Sequence, residues 1–514
     1  MSIRGSRLGA QGSRLAAAAV VLAALTLVSA ADDAPKTFLI AGARVADGTG
    51  GPIEKKDVRI AGDKIAEVGK LEPKAGETVV RADRFVLAPG FIDPHNHSTE
   101  GLETDPLAET QVSQGITTVV IGPDGDSPWP IGEYLAAREK KPAAVNVMTM
   151  VGHETVRSQV LGKDYRRVAT ADEIAKMAAL VDQGMREGGA GLSSGLEYDV
   201  GSYASTEEMI ALAKAAARYG GFYMTHVRDE AEKTFPAFEE AVRICREGGL
   251  PLQISHIKLA TVGVWGRTKE AIALFDKARA AGVDVTADCY PYEAWHTGIS
   301  VLVPNKQHDD PTSVAEALRV VGGPERITIT ECKAHPEYAG KTMEQIAKSE
   351  GITPVALYSK IVRDGGASII GHSMKEEDVL ALYRQPWVMV GSDGGIDNDH
   401  PRGAGTYPRV LGRYVREKKL FPLQEAIRKM TSMPAARMKL ADRGRIAPGA
   451  RADLVLFDPD TVIDRSTFAE PRTLSTGIAR VWVNGQEVWR DGKSAGATPG
   501  RVLYGPGRET AAAR

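Results

Sequence analysis

Cysteine is scarce. The 514 residues hold three, Cys245, Cys289 and Cys332, an odd number with no close spacing, which excludes a disulfide framework and leaves three buried thiols. Blocks of one charge are missing too. The 64 Lys and Arg and the 66 Asp and Glu are interspersed, so neither nucleic acid nor an anionic membrane surface is expected as a partner. An apolar run long enough to span a membrane is also lacking. Leu15 to Val28 follows Arg4, Arg7 and Arg14 and falls short of the ~20 residues that a spanning helix needs. With Val28-Ser29-Ala30 behind it, residues 1 to 30 read as a secretory signal cut near Ala30, the alternative being an uncleaved anchor. No cysteine follows the run, so a lipid anchor has no attachment point. Removing this leader takes the formal charge from −2 to −5. The expected location is periplasmic or extracellular, without stable membrane insertion after cleavage.

The remaining chain has two β-rich ends around an α/β middle. Residues 37 to 88 alternate short apolar runs with turns, as at Gly62-Asp63, and residues 441 to 505 repeat the pattern around Asn484-Gly485. Both sets read as hairpins, and together they are expected to form one small β-sandwich. Between them, residues 89 to 440 carry near-continuous apolar strands separated by amphipathic helices. The strands are the run before His95, then 116–121, 145–151, 191–196, 222–225, 252–255, 283–287 and 388–390. Helices are expected at 171–187, 206–219, 237–247 and 268–281, with Thr170 and Ser205 as N-caps. This α/β order implies a parallel sheet closed as a (β/α)8 TIM-like barrel, interrupted by an insertion at 300–384 of unassigned structure. The Gly-, Pro- and Ala-rich tail after Lys493, residues 506 to 514 above all, is expected to be disordered.

In such a barrel the chemistry sits at the C-terminal strand ends. There the sequence places His95 and His97, then Asp124, His153, Glu197, His226, His256, Asp288 and Asp393. Residues two apart on a strand share a face, so His95-Asn96-His97 can present two imidazoles to one ion. Imidazoles and carboxylates without a nearby thiolate fit a borderline divalent ion, zinc first, with one or two ions and other divalent metals possible. Such an ion lowers the pKa of its water to ~7. Asp393 is expected both to ligate an ion and to carry the proton of that water. His153 and His372 are expected to support the site or the fold, not to ligate.

The chain resembles the amidohydrolase superfamily, and within it the D-aminoacylase, or N-acyl-D-amino-acid deacylase, family. The resemblance covers residues 37 to 505. It rests on Pro89 to Asp93 with His95 and His97, Ser113 to Thr118, Val151-Gly152-His153, Gly191 to Leu196, Thr225 to Glu230, Ile254 to Lys258, Asp288 to Tyr292 and Val390 to Asp393. It implies metal ligands at His95, His97, His226, His256 and Asp393, with Asp393 as general acid/base, and hydrolysis of an N-acyl amide or related C–N bond. One stretch departs from it. The deacylases carry a metal-bridging Cys after the second strand, where this chain has Gly122-Pro123-Asp124-Gly125. Glu197, where other superfamily members bridge two ions, is the expected replacement, with Asp124 the alternative.

Lys258, Arg228 and Arg402 beside these positions suggest an anionic end on a small-molecule substrate. Tyr198, Tyr290 and Tyr292 could donate hydroxyls beside it. N-acyl-D-amino acids are the expected substrates. Alternatives are a dipeptidase or cyclic amidase on the same site, or a non-catalytic exported metal- or solute-binding protein.

Overall fold

The computed structural model describes residues 37–508. The expected leader and residues 509–514 lie outside them. No helix among the described residues is long and apolar enough to cross a membrane.

The barrel strands are β1 (Phe91–Asp93), β2 (Ile116–Ile121), β3 (Asn146–Thr149), β4 (Val151–Gly152), β5 (Leu192–Gly195), β6 (Tyr223–His226), β7 (Leu252–Ile254), β8 (Val285–Cys289) and β9 (Val388–Val390). They form two parallel sheets, β1-β2-β3 and β9-β8-β7-β6-β5-β4. The sheets meet where β3 runs on into β4, and again where Asn96 bridges Gly394 in parallel register. Counting β3 and β4 as one run gives eight positions around the ring. Most of these strands are buried along their whole length, as strands covered on both faces must be.

The helices between them follow the expected pattern. Ala171–Glu187 starts at a capping box in which Thr170 and Glu173 satisfy each other's backbone N–H. Thr206–Ala217 is capped by Ser205. Each cap satisfies an otherwise orphaned N–H group and so fixes where its helix begins.

Both ends of the described chain build the small domain. Its nine strands are continuous through hydrogen bonds. Thr37–Val45 pairs with Val86–Pro89, which pairs with Leu454–Phe457. Ile40, Val58, Ile60, Leu454, Leu456 and Trp482 close a core of its own. The Asn484-Gly485 turn has φ of 48° and 77°, the left-handed pair that a two-residue hairpin demands. A Cβ on Gly485 would lie 2.0 Å from the Gly62 carbonyl, so hairpin turns from opposite ends of the chain touch.

The insertion begins at Trp295, ahead of the expected residue 300. Trp295–Gly298, Ile327–Glu331 and Ser368–Gly371 form an antiparallel sheet with Ser368–Gly371 in the centre. Helices Pro311–Val321, Met343–Glu350 and Pro354–Arg363 accompany it. Hydrogen bonds fasten it to the barrel loops. Trp295 donates to Ala260 O at 3.2 Å, Val262 N–H to Val320 O at 3.0 Å and Lys306 to Glu197 O at 2.8 Å.

The expected disorder after Lys493 is corrected by the structure as far as residue 508. Leu503 N–H donates to Val147 O and Val147 N–H to Arg501 O, so this segment lies along the edge of β3. A Cβ on Gly500 or Gly505 would fall 2.0 Å from the Val145 or Gly189 carbonyl. Here glycine permits close backbone approach, not disorder.

Candidate metal centre

The site begins with a clamp between the first and last strands. Asp93, fully buried at the end of β1, accepts from Ser392 N–H at 2.9 Å, from the Ser392 hydroxyl and from Asn96 Nδ2 at 2.8 Å. Asp393 N–H donates to His95 O at 3.0 Å and His97 N–H to Gly394 O at 2.7 Å. These bonds fix the two histidines against Asp393. The backbone pays a conformational cost at three site residues, since Asp124, His256 and Asp393 have φ of 55°, 35° and 48°. Left-handed geometry in non-glycine residues persists only where the surroundings hold it, and it gathers at functional sites.

Side chains converge accordingly. His95 Nε2 lies 3.3 Å from His97 Nε2, 3.2 Å from Asp124 Oδ2 and 3.3 Å from Asp393 Oδ1. His97 Nε2 is 3.1 Å from Asp393 Oδ1 and 3.5 Å from Asp124 Oδ2, and His256 Nε2 is 3.6 Å from Asp124 Oδ2. Donor atoms of His95, Asp124, His256 and Asp393 all lie within 4.8 Å of one another, as do those of His226, Glu230 and His256. His226 Nδ1 is 3.1 Å from His256 Nε2, which makes the two groups adjacent.

Protons alone do not satisfy this arrangement. Two imidazole nitrogens face each other and two carboxylate oxygens, while Asp124 Oδ1 is buried without a hydrogen-bond partner. An orphaned buried carboxylate oxygen costs free energy, and a cation at the convergence point removes that cost. The donor set, imidazole nitrogen and carboxylate oxygen, suits a borderline divalent ion. The residues fit a metal.

Electrostatics agree. Burial alone would push Asp124 and Asp393 up, but His95 and His256 outweigh it for Asp124, and Arg402, His256 and His95 do so for Asp393. Both carboxyls are held well below the usual range, ready to ligate. Glu230 is held low in the same way, by His226, Lys258 and His256. Asp288 accepts from the His256 backbone N–H at 2.8 Å and stands 3.5 Å from His95 Nδ1, so it fixes the backbone of one histidine and lies behind the imidazole of the other.

Glu197 Oε2 lies 2.8 Å from His226 Nε2, outside both convergent groups. Tyr198 and His226 Nδ1 are 3.0 Å apart. Lys258 Nζ is 2.6 Å from Glu230 and 2.8 Å from His256 Nδ1. Arg402, 3% exposed, places Nη1 2.6 Å from Asp393 Oδ2. Arg228 is held by Glu240 at 2.8 and 2.9 Å. Tyr290 lies beneath Arg402, whose guanidinium is 4.8 Å from the ring centroid, and its hydroxyl points to Met374. Tyr292 is set apart: beyond the Pro291 break its hydroxyl donates to Pro401 O at 3.2 Å, Arg409 covers its ring, and it does not line the cavity. His153 pairs with Glu208 at 2.9 Å, and His372 packs against Phe468 in the insertion region. The three thiols are buried and unpaired, and none belongs to either convergent group.

Sequence reasoning gave Glu230 no ligand role. The signal was an acid four residues after His226 in Thr225-His226-Val227-Arg228-Asp229-Glu230. It also missed the insertion's share of the site. A cavity of about 920 Å³ opens in front of the ligands, and Trp295, His296, Val301, Leu302 and Val320 line it beside His97, His226, His256 and Asp393.

Comparison with known proteins agrees with this geometry. D-aminoacylase of Alcaligenes xylosoxydans xylosoxydans is 38% identical over 501 residues, 93% of this chain and 99% of that one. N-acyl-D-aspartate deacylase of the same organism is 38% identical over 504 residues, 92% of this chain and 97% of that one. The crystal structure of N-acyl-D-glutamate deacylase from Bordetella bronchiseptica, complexed with zinc and a phosphonate mimic of the tetrahedral intermediate, superposes with a TM-score of 0.83 at 34% identity, covering 91% of this chain and 99% of that one. Residues 79–489 match the model of the amidohydrolase family, and the chain belongs to that family.

Proposed function

We propose that this chain is a metal-dependent hydrolase of amide C–N bonds that removes the acyl group from N-acyl-D-amino acids, releasing a free amino acid and a carboxylate. The observation that carries the reading is Asp393, whose Oδ1 faces His95 and His97 at 3.3 and 3.1 Å while its Oδ2 faces Arg402 at 2.6 Å. One carboxylate thus joins the ligand cluster to a buried cation on the cavity wall. The three relatives described above are by name a D-aminoacylase, an N-acyl-D-aspartate deacylase and an N-acyl-D-glutamate deacylase, which favours this reading over dipeptide or cyclic-amide hydrolysis.

His95, His97, Asp124, His256 and Asp393 would hold one ion, and His226 with His256, Glu230 or Glu197 a second. Zinc is the proposed metal, as one or two ions, and a bound divalent ion supplies Lewis acidity that activates water and polarises the amide carbonyl. Asp393 accepts a proton on its carboxylate and returns it to the departing amine nitrogen. Arg402 and Lys258 hold the substrate carboxylate, and Tyr198 stands beside His226 where it can donate to the amide. For the shared carboxylate the distances favour Asp124, which faces three imidazoles, over Glu197, which contacts His226 alone.

The test is amine release from matched N-acetyl-D- and N-acetyl-L-amino acids by zinc-loaded and chelated protein. D-selective release that chelation abolishes is expected. Hydrolysis that survives complete metal removal would sink the reading. Export is proposed from the leader alone, and the mature N-terminus, expected near residue 31, can be read by mass spectrometry.

A further inference from the structure

A row of polar side chains runs along β7 and β8 behind the ligands. Thr286 and Asp288 stand two apart on β8 and so share one face of that strand. Asp288 reaches His95 on β1, two strands away around the ring, so this face looks into the barrel, where branched apolar residues ordinarily fill the space. Gln253, in register with Thr286, occupies the middle of β7. Arg437 closes the row from the helix Ser432–Arg437. Gln253 and Asp288 are fully buried, and Arg437 is buried too.

The hydrogen bonds in this row all point one way. Arg437 Nε donates to the Thr286 hydroxyl at 2.8 Å, that hydroxyl donates to Gln253 Oε1, and Gln253 Nε2 donates to Asp288 Oδ2 at 2.7 Å. Neither end allows a reversal. A guanidinium only donates and a carboxylate only accepts, so the hydroxyl and the amide between them have one orientation each. Donors aligned from a cation to an anion also polarise one another. The other oxygen, Asp288 Oδ1, accepts from the His256 backbone N–H at 2.8 Å and stands 3.5 Å from His95 Nδ1. At the far end Asp284, exposed ahead of β8, holds Arg437 at 2.8 and 3.2 Å.

Resting on the metal-dependent reading of the site, we infer that Gln253 and Thr286 are positioning residues for the metal centre. They fix the Asp288 carboxylate, which keeps Nδ1 of the His95 ring toward Oδ1, leaves its Nε2 for the ion, and places the His256 backbone. Ligand geometry is thereby tied to a helix at the N-terminal end of β8, the face opposite the cavity. Partners behind a metal-ligating imidazole fix its tautomer and orientation, and losing one typically costs about 10- to 100-fold in metal affinity.

The test reads the partition of zinc between the holoprotein and a chromophoric chelator, beside the Tm of the metal-free protein. Gln253→Leu leaves Asp288 Oδ2 without its donor and should weaken zinc binding about 10- to 100-fold. Thr286→Val keeps the branched shape and removes only the hydroxyl. It should weaken binding about 3-fold or more, and it carries the test should Gln253→Leu fail to fold. Thr286→Ser restores the hydroxyl and should bind zinc as the unaltered protein does. Unchanged zinc affinity in Gln253→Leu and Thr286→Val, with only Tm lowered, would overturn the proposal and leave the row structural. Equal weakening in Thr286→Ser and Thr286→Val would overturn it too, by assigning the effect to packing. Failure of the unaltered protein to bind zinc would remove the metal reading itself, which the other outcomes leave standing.

Discussion

Two clusters in this molecule combine histidine with carboxylate, and they behave differently. In one, Glu208 sits between His153 at 2.9 Å and Arg157 at 2.5 Å, all three fully buried. One carboxylate faces an imidazole and a guanidinium, and Arg157 Nη2 donates to the Tyr165 and Arg167 carbonyls. In the other, His95, His97 and His256 meet two carboxylates within 3.1 to 3.6 Å. Three of its members, Asp124, His256 and Asp393, have left-handed backbone, and an oxygen of Asp124 has no partner. Residue type does not separate them. Acceptors that converge faster than protons can satisfy them mark the candidate metal cluster, whereas a carboxylate matched by one guanidinium and an imidazole marks a structural one.

The sharpest way to break this contrast is Asp393→Asn. Activity should fall by about 10³-fold or more, with folding intact by circular dichroism. A milder loss would place the proton shuttle elsewhere. Glu208→Ala should do the reverse. It leaves the Arg157 guanidinium buried and uncompensated, costing about 3–5 kcal/mol and lowering Tm, while the metal content of the folded fraction holds. Loss of metal from that fraction would show that the two clusters are coupled.

Between these extremes lies Arg402→Met, which removes one charge-assisted contact of about 1.5–3 kcal/mol. KM should rise about 10- to 100-fold with a smaller change in kcat. A fall in kcat alone would reassign Arg402 to positioning Asp393.

The smallest effect concerns Glu154, half-buried beside the centre and pushed up to about 8, by burial first and then by Asp126, Asp124 and Asp199. Unfolded, it ionises near pH 4.3. Between those values the folded chain keeps a proton that the unfolded chain has lost, so this group's contribution to stability falls as pH rises from about 4 to about 8. Glu154→Gln should flatten that part of the stability profile, read by urea denaturation at several pH values.

The convergence of these side chains was legible in the sequence because barrel topology turns strand ends into one ring. His95, His97, His226, His256 and Asp393 all lie just past apolar runs, so counting strands located them. Caps made helix starts readable, as Thr170 and Ser205 show. The rest depends on contacts that periodicity does not carry. The insertion wall is irregular chain between short elements, and only its packing on Ala260 and Val262 brings Val301 and Leu302 to the cavity. Glu230 follows β6 in an irregular loop held by Asp229, which accepts from Ala231 and Lys233 N–H. The glycines of residues 496 to 505 looked like disorder in composition, yet two of them allow the backbone to pass within contact of Val145 and Gly189. Tyr292 looked equivalent to Tyr290 until Pro291 sent it to the far side of the loop.

The sheet that joins Val86–Pro89 to Leu454–Phe457 also sets an order of events during synthesis. The first strands leave the ribosome hundreds of residues before their partners exist, and one edge of Val86–Pro89 stays open for the whole of barrel translation. An unpaired strand edge invites pairing with other chains, and closing so long a loop is entropically slow. The nascent chain therefore carries its aggregation risk at its beginning, and that risk ends only when the last strands of the protein arrive.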